Sequence, residues 1–243
     1  MHQEIIAVST SDGPMAIHCY LPSKQAKTPL PAVILLQEAF GVNAHIKRYC
    51  ERITKLGYAV FAPELFHRNG QGIEFGYTEF PKILPLLSQL TNANIAEDLK
   101  ATYNFIISQT TVDNKNIAAW GFCMGGFASI LAACEIPIKT ALSFYGGGLV
   151  KSRANIGFSP LINRLESVQC PLLLVFGGLD AGIPKEDTDA LETRLISLGK
   201  PHKVVIYPEA GHGFCCEDRS AYHESSAEAA WLCASQWLNE QFI

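Results

Sequence analysis

The sequence predicts an α/β protein with a mostly parallel central sheet, helices on both faces and an antiparallel N-terminal edge. Three observations carry that expectation. From residue 31 onward, short apolar runs alternate with longer runs of helical periodicity, the signature of βα units and a parallel sheet covered on both faces. Residues 4–8 and 15–21 break this alternation: they are two strand-like runs on either side of Ser11-Asp12-Gly13, a turn signal, and so predict a hairpin on the sheet edge. Finally, Gly121-Phe122-Cys123-Met124-Gly125-Gly126 joins an apolar run to a helix-forming one, a strand–turn–helix junction rich in glycine.

The elements follow in order. Residues 31–37 (PAVILLQ) and 58–62 (YAVFA) are buried strands, with a helix over 44–56 between them. A helix over 94–108 is marked by Ile95, Leu99, Ala101, Tyr103 and Ile106. Residues 116–120 form a strand, followed by the glycine turn and a helix over 127–134. Strands follow at 140–144, 171–176 (PLLLVF) and 204–207 (VVIY). A helix over 225–242 closes the chain, its apolar face carried by Ala229, Leu232, Cys233, Trp237 and Leu238. Two connections, 64–90 and 145–169, are too long for simple turns and emerge from the carboxyl ends of strands, where α/β sheets bind ligands. With no composition shift, linker or repeat, one domain over residues 1–243 is expected.

Composition narrows the partners. The chain is 48% hydrophobic and 17% charged, with a formal net charge of −4 and no basic run, so neither nucleic acid nor an anionic membrane surface is expected. The first residues lack a basic and an apolar region of the signal-peptide kind, and no apolar run approaches the roughly 20 residues that span a bilayer. Eight cysteines without a CxxC pair, several inside apolar segments, fit reduced thiols and a cytoplasmic location.

The glycine turn has the layout of a nucleophile elbow, G-x-S-x-G, with Cys123 in place of serine. A thiol nucleophile needs a base, and the base needs an orienting acceptor. Asp180 follows the 171–176 strand, in Gly177-Gly178-Leu179-Asp180. His212 follows the last strand, in Gly211-His212-Gly213-Phe214. The order nucleophile, acid, histidine is that of the α/β-hydrolases. Taken singly, the cysteine is commonly core filler, the aspartate a turn former and the histidine a solvated loop residue. All three at strand ends is a much rarer coincidence.

Glu38 ends the first parallel strand, in Gln37-Glu38-Ala39-Phe40-Gly41-Val42-Asn43. A carboxylate there is costly unless paired or protonated. Its plainer role would be a local cap or pair. In this fold the same loop gives one oxyanion-hole N–H and the residue after the nucleophile the other, here Ala39 and Met124.

These four blocks, together with Pro184, resemble the dienelactone hydrolase (carboxymethylenebutenolidase) family, a branch of the α/β-hydrolases with a catalytic cysteine, over nearly the whole chain. The resemblance implies an α/β-hydrolase fold and a triad of Cys123, Asp180 and His212. It also implies Glu38 as partner to the resting thiol, a small-molecule ester or lactone substrate, no cofactor, and a monomer. The type enzymes hold a substrate carboxylate with two arginines, one of them four residues past the histidine. Cys216 occupies that position here. In 64–90 the cations are Arg68 and Lys82, of which Arg68 is a substrate-binding candidate. Arg219 is close enough to reach the site, although a surface ion pair with Asp218 or Glu217 is the commoner arrangement. Tyr145, directly after a strand, is a further candidate for the site wall, with Phe75 and Tyr77 above it. Cys215 and Cys216 with His212 have the wrong spacing and count for zinc, so no metal is expected. His45, His67 and His223 stand outside any motif and are assigned surface or capping roles. Two other functions share these residues: a non-catalytic binding or sensing protein on the same fold, and an acyl transferase or C–C hydrolase.

Overall fold

In a computed structural model, which describes residues 1–23 and 29–242, the N-terminal hairpin is the edge of an eight-stranded sheet. Strands β1 (His2–Thr10) and β2 (Gly13–Leu21) pair antiparallel, from Thr10↔Gly13 to His2↔Leu21. The remaining strands are β3 (Leu30–Leu36), β4 (Ala59–Pro63), β5 (Val112–Phe122), β6 (Thr140–Phe144), β7 (Leu172–Gly177) and β8 (His202–Tyr207). Their order is β1-β2-β4-β3-β5-β6-β7-β8. Strand β2 also pairs antiparallel with β4, and every pair from β4 to β8 is parallel. The mostly parallel sheet and the antiparallel edge are as expected.

The central strands are apolar on both faces because both are covered. Ala32 to Leu36 of β3 have no exposed surface. The helices are α1 (Ala44–Thr54), α2 (Phe80–Gln89), α3 (Asn92–Ile107), α4 (Met124–Glu135), α5 (Lys185–Ser197) and α6 (Glu224–Gln241). Beneath the carboxyl end of β5, Trp120 stacks on Trp231 with ring centroids 5.7 Å apart, and Phe122 packs against Tyr49 at 4.6 Å. This aromatic layer forms a floor for the turn that follows Phe122.

Two helices escaped the sequence reading. Helix α2 lies inside the 64–90 segment, whose prolines suggested loop. Pro81 sits in the first turn, where the missing N–H costs nothing, and Pro85 is inside the helix. Helix α5 buries Thr188, Leu191 and Leu195, a weak but regular stripe, with Glu186 and Asp187 in its first turn. The helix expected over 94–108 starts at Asn92 because Thr91 caps it. Asn94 N–H donates to Thr91 Oγ1 (3.2 Å) while Thr91 N–H donates to Asn94 Oδ1 (2.8 Å). Thr91→Ala is expected to cost about 1 kcal/mol, a fall of roughly 2–4 °C in Tm by calorimetry.

Candidate active site

Strand β5 ends at Phe122 and α4 begins at Met124, leaving Cys123 alone between them at φ 54°, ψ −114°. Only a strongly held turn keeps a non-glycine residue at positive φ. Three contacts hold it. A Cβ on Gly121 would lie 1.9 Å from the Gly125 carbonyl oxygen, one on Gly125 2.2 Å from that of Leu36, and one on Gly126 2.7 Å from that of Phe144. Strand, turn and helix touch backbone to backbone, which glycine alone permits. The Cys123 N–H donates to Phe144 O at 2.9 Å. The result is a half-exposed thiol at the N-terminus of α4, where the helix dipole favours negative charge.

The loops after β7 and β8 bring the other two groups to it. His212 Nε2 is 3.2 Å from Cys123 Sγ, and His212 Nδ1 is 2.6 Å from Asp180 Oδ2. The buried Asp180 also accepts from the Gly182 N–H at 2.8 Å. Burial alone would raise the Asp180 pKa, but the hydrogen bond and charge of His212 outweigh it and hold the carboxyl below its ordinary range. Burial would likewise lower His212, but the Cys123 sulfur and the Asp180 carboxylate more than offset it, and the imidazole is pushed up to about 10.

These groups open onto a cavity of about 330 Å³ whose wall includes Ala39 and Met124. Neither of their N–H groups donates within the protein among the described residues, so both are available to an oxyanion. Phe40, Phe80, Leu87, Ile156 and Phe158 supply an apolar wall, and Arg153 and Arg219 the positive charge. Sequence reasoning missed Arg153, which lies in the long 145–169 segment. Its one signal was that segment's place after a strand. Phe80 and Leu87 were missed together with α2.

Several expected neighbours are elsewhere. Arg68 faces away from the cavity: its guanidinium grips the fully buried Asp98 at 2.7 and 3.0 Å and meets Asp12 at 2.5 Å. A buried carboxylate claims the nearest guanidinium before a ligand can. Arg219, assigned more readily to a surface pair, is instead directed inward, with Nη1 3.4 Å from Glu38 Oε1. Asp218 and Glu217 are taken by Arg48, at 2.5 and 4.0 Å. Tyr145 and Cys216 are fully buried behind the cavity wall rather than on it. Tyr145 supports the His212 ring from below, centroids 5.3 Å apart. Cys216 Sγ lies 3.0 Å from the Tyr77 hydroxyl, and Tyr77 itself packs against Phe40.

Glu38 is fully buried, and its bond is to Arg219 while the Cys123 sulfur is paired with His212. The expected glutamate–thiol contact is thus replaced by two contacts of better matched charge. Burial raises the Glu38 pKa, with Arg219 and His212 pulling it partly back. Two histidines are also not at the surface. His67 meets Asp98 at 3.0 Å in the interior. His45 is buried on α1, where burial drives its pKa down to about 3 and keeps the ring neutral. Among the described residues no helix is long and apolar enough to cross a membrane.

Known proteins share this architecture. The sequence model of the "Dienelactone hydrolase family" matches residues 17–242. A protein of Synechocystis named "Putative carboxymethylenebutenolidase" is 36% identical over 221 residues, covering 89% of each chain. One of the same name in Escherichia coli is 32% identical over 219 residues, covering 89% of this chain and 79% of the relative. The crystal structure of a "Putative Dienelactone Hydrolase from Klebsiella pneumoniae" superposes with a TM-score of 0.88 at 29% identity, covering 98% of both chains. The sheet order and helices are those of the α/β-hydrolase fold. The chain belongs to the dienelactone hydrolase family, hydrolases of lactone and ester bonds.

Proposed function

We propose that this protein cleaves a small ester or lactone with Cys123 as nucleophile, through an acyl-thioester. The observation that carries the reading is the continuous relay Asp180–His212–Cys123, with spacings of 2.6 and 3.2 Å, on the wall of a cavity that also presents two free N–H groups. In the first step Cys123 Sγ attacks the carbonyl carbon, and the carbonyl oxygen becomes an oxyanion held by the Ala39 and Met124 N–H groups. Each donor of this kind is worth about 2.7–4 kcal/mol. His212, held as imidazolium and oriented by Asp180, gives its proton to the alkoxide as the C–O bond breaks. A lactone opens at this point with its hydroxyl still attached to the acyl group. His212 then takes a proton from water, the water oxygen attacks the thioester, and collapse expels the Cys123 thiolate with the carboxylic acid.

Glu38 contributes through Arg219: its buried carboxylate holds one edge of the guanidinium while the rest faces the cavity. With Arg153 on the same wall, the site favours a substrate that carries a negative charge beside an apolar body. Arg153→Ala is expected to raise KM about tenfold for a carboxylate-bearing lactone, the loss of one charge-assisted hydrogen bond, with little change for a neutral ester of the same size. Equal effects on both substrates, in steady-state kinetics, would remove the charge argument.

The raised His212 pKa fixes a pH limb. Below about 10 the imidazolium is present and can protonate the leaving oxygen; above it the proton is lost. The value of kcat for a poor leaving group should therefore fall as pH rises through about 10. The same group stabilises the fold fully below its unfolded pKa of about 6.5, and that contribution also fades as pH rises through about 10.

The direct test is a panel of small esters and lactones run with wild type and Cys123→Ala, with mass spectrometry of the intact protein during turnover. An acyl adduct on Cys123 supports the reading. Equal turnover by both proteins refutes Cys123 as the nucleophile, and a wild type inert across the panel refutes the reading and favours a binding protein on this fold.

A further inference from the structure

Glu38 is an incompletely partnered buried carboxyl group. Its Oε1 has Arg219 Nη1 at 3.4 Å, well beyond the 2.7–2.9 Å of a strong charge-assisted bond. Its Oε2 is buried with no hydrogen-bond partner among the described residues. Buried carboxylates are normally paired or bound to a cation. The groups nearby are distinctive. Glu38, His45 and Cys216 each place a donor atom within 4.8 Å of the other two, and all three residues are buried. His45 Nε2 is a second buried atom without a partner. Two unpartnered polar atoms on two members of one donor cluster are what an empty ligand set leaves behind.

The surroundings hold these donors in place. Asn43 caps α1 through Ile46 N–H and donates from Nδ2 to the Tyr77 hydroxyl at 3.0 Å, and that hydroxyl lies 3.0 Å from Cys216 Sγ. The His45 ring is set edge-on against Tyr49 and Phe122, centroids 5.0 and 5.6 Å away. Such outer contacts orient metal ligands. His45 also walls a second, small cavity with Arg48, Cys215 and Glu217, which does not include the reactive cysteine.

We propose that Glu38, His45 and Cys216 form a binding site for a thiophilic divalent cation of the zinc class, behind the wall of the hydrolytic cavity. One carboxylate, one imidazole and one thiolate match zinc or cobalt and not calcium or magnesium, which take oxygen ligands. With ligand bonds of about 2.0–2.3 Å, donors in a tetrahedral site stand roughly 3.3–3.8 Å apart. Donor atoms within 4.8 Å of one another therefore close by at most about 1.0–1.5 Å on binding. The thiol of Cys216 releases its proton to solvent as the metal–sulfur bond forms, so the dication is balanced by its two anionic ligands, with Arg219 beside Glu38 as a further positive charge. Three protein ligands leave one position for water.

The test uses Co²⁺ and the Cys123→Ser protein, because Cys123 and His212 are a competing pair of ligands. The expected result is one bound Co²⁺ with a near-ultraviolet thiolate-to-cobalt absorption and visible bands of tetrahedral type. Adding Cys216→Ser should abolish the near-ultraviolet band, and adding His45→Gln should weaken binding at least tenfold. Circular dichroism checks that each variant is folded, and Cys216→Ala replaces Cys216→Ser if it is not. No band in Cys123→Ser, or a band that survives the loss of Cys216, overturns the proposal. The readout is independent of turnover, so its failure leaves the hydrolase reading standing.

Discussion

Cys123→Ala should lower kcat by about 10⁴–10⁶-fold, on the scale seen when a nucleophile acting as part of a unit is removed. Three features make the loss this large. Among the described residues the sulfur is the one group on the cavity wall placed by an elbow on the same wall as both free N–H groups. His212, the proposed base, is already in contact at 3.2 Å, so alignment is set by the fold. No second thiol can replace it, since Cys215 and Cys216 are buried behind the wall. His212→Ala should cost a similar amount, and the double variant little more than either single one. Asp180→Asn keeps the shape but leaves the wrong partner for Nδ1–H, and a loss of about 10⁴-fold is expected. Substrate binding, read by calorimetric titration of Cys123→Ala with the intact substrate, should survive. Additive losses across the three residues would show that they do not work as one relay.

The parts of this site differ in how far they could be read from the sequence, and the difference is physical. Cys123, Asp180 and His212 were legible because each sits at a strand end within a few residues of glycine, and strand ends are visible as the edges of apolar runs. Ala39 and Met124 followed from the same geometry. The charge network was not legible. Whether Arg219 pairs with Asp218 next to it or with Glu38, 181 positions away, depends on which loop Arg48 reaches from α1. No local pattern encodes that competition. His45 shows the same limit, for on sequence alone it is a polar residue near the start of a helix, and only the packed fold shows it facing Tyr49 and Phe122. Helix α2 was hidden because its two prolines are normally loop residues, although Pro81 stands where a helix tolerates it. The cavity wall that α2 provides was missed for that reason, and Arg153, in the long 145–169 segment, had no local pattern to mark the charge it brings to the cavity.

Gly121→Ala should be strongly destabilising, costing about 4 kcal/mol or more. The added Cβ would lie 1.9 Å from the Gly125 oxygen and 2.2 Å from its carbon, and both atoms are backbone. Neither side can yield. Gly121 is paired with Leu36 on one flank and with Ser143 on the other, so β5 cannot shift without breaking two ladders. Gly125 has little room to retreat either, because the Leu36 carbonyl on β3 crowds it so closely that a Cβ built on Gly125 would lie 2.2 Å from that oxygen. Glycines elsewhere offer a contrast that isolates the cause. Gly199 has a φ of +62° and open space around it, so Gly199→Ala carries only the strain of a left-handed backbone, about 1–2 kcal/mol. For a chain of this size 1 kcal/mol corresponds to roughly 2–4 °C in Tm. Gly121→Ala is therefore expected to melt roughly 8–16 °C below wild type, or to fail to accumulate as soluble protein. Gly199→Ala should lose only a few degrees. The two also separate in turnover. Any folded Gly121→Ala must displace the strand–helix junction, and with it Cys123 from the His212 ring, so kcat falls with Tm. Gly199→Ala, at the end of α5, leaves kcat alone. If Gly121→Ala melted with wild type and kept its activity, the close backbone approach that sets Cys123 at positive φ could not be what presents the thiol.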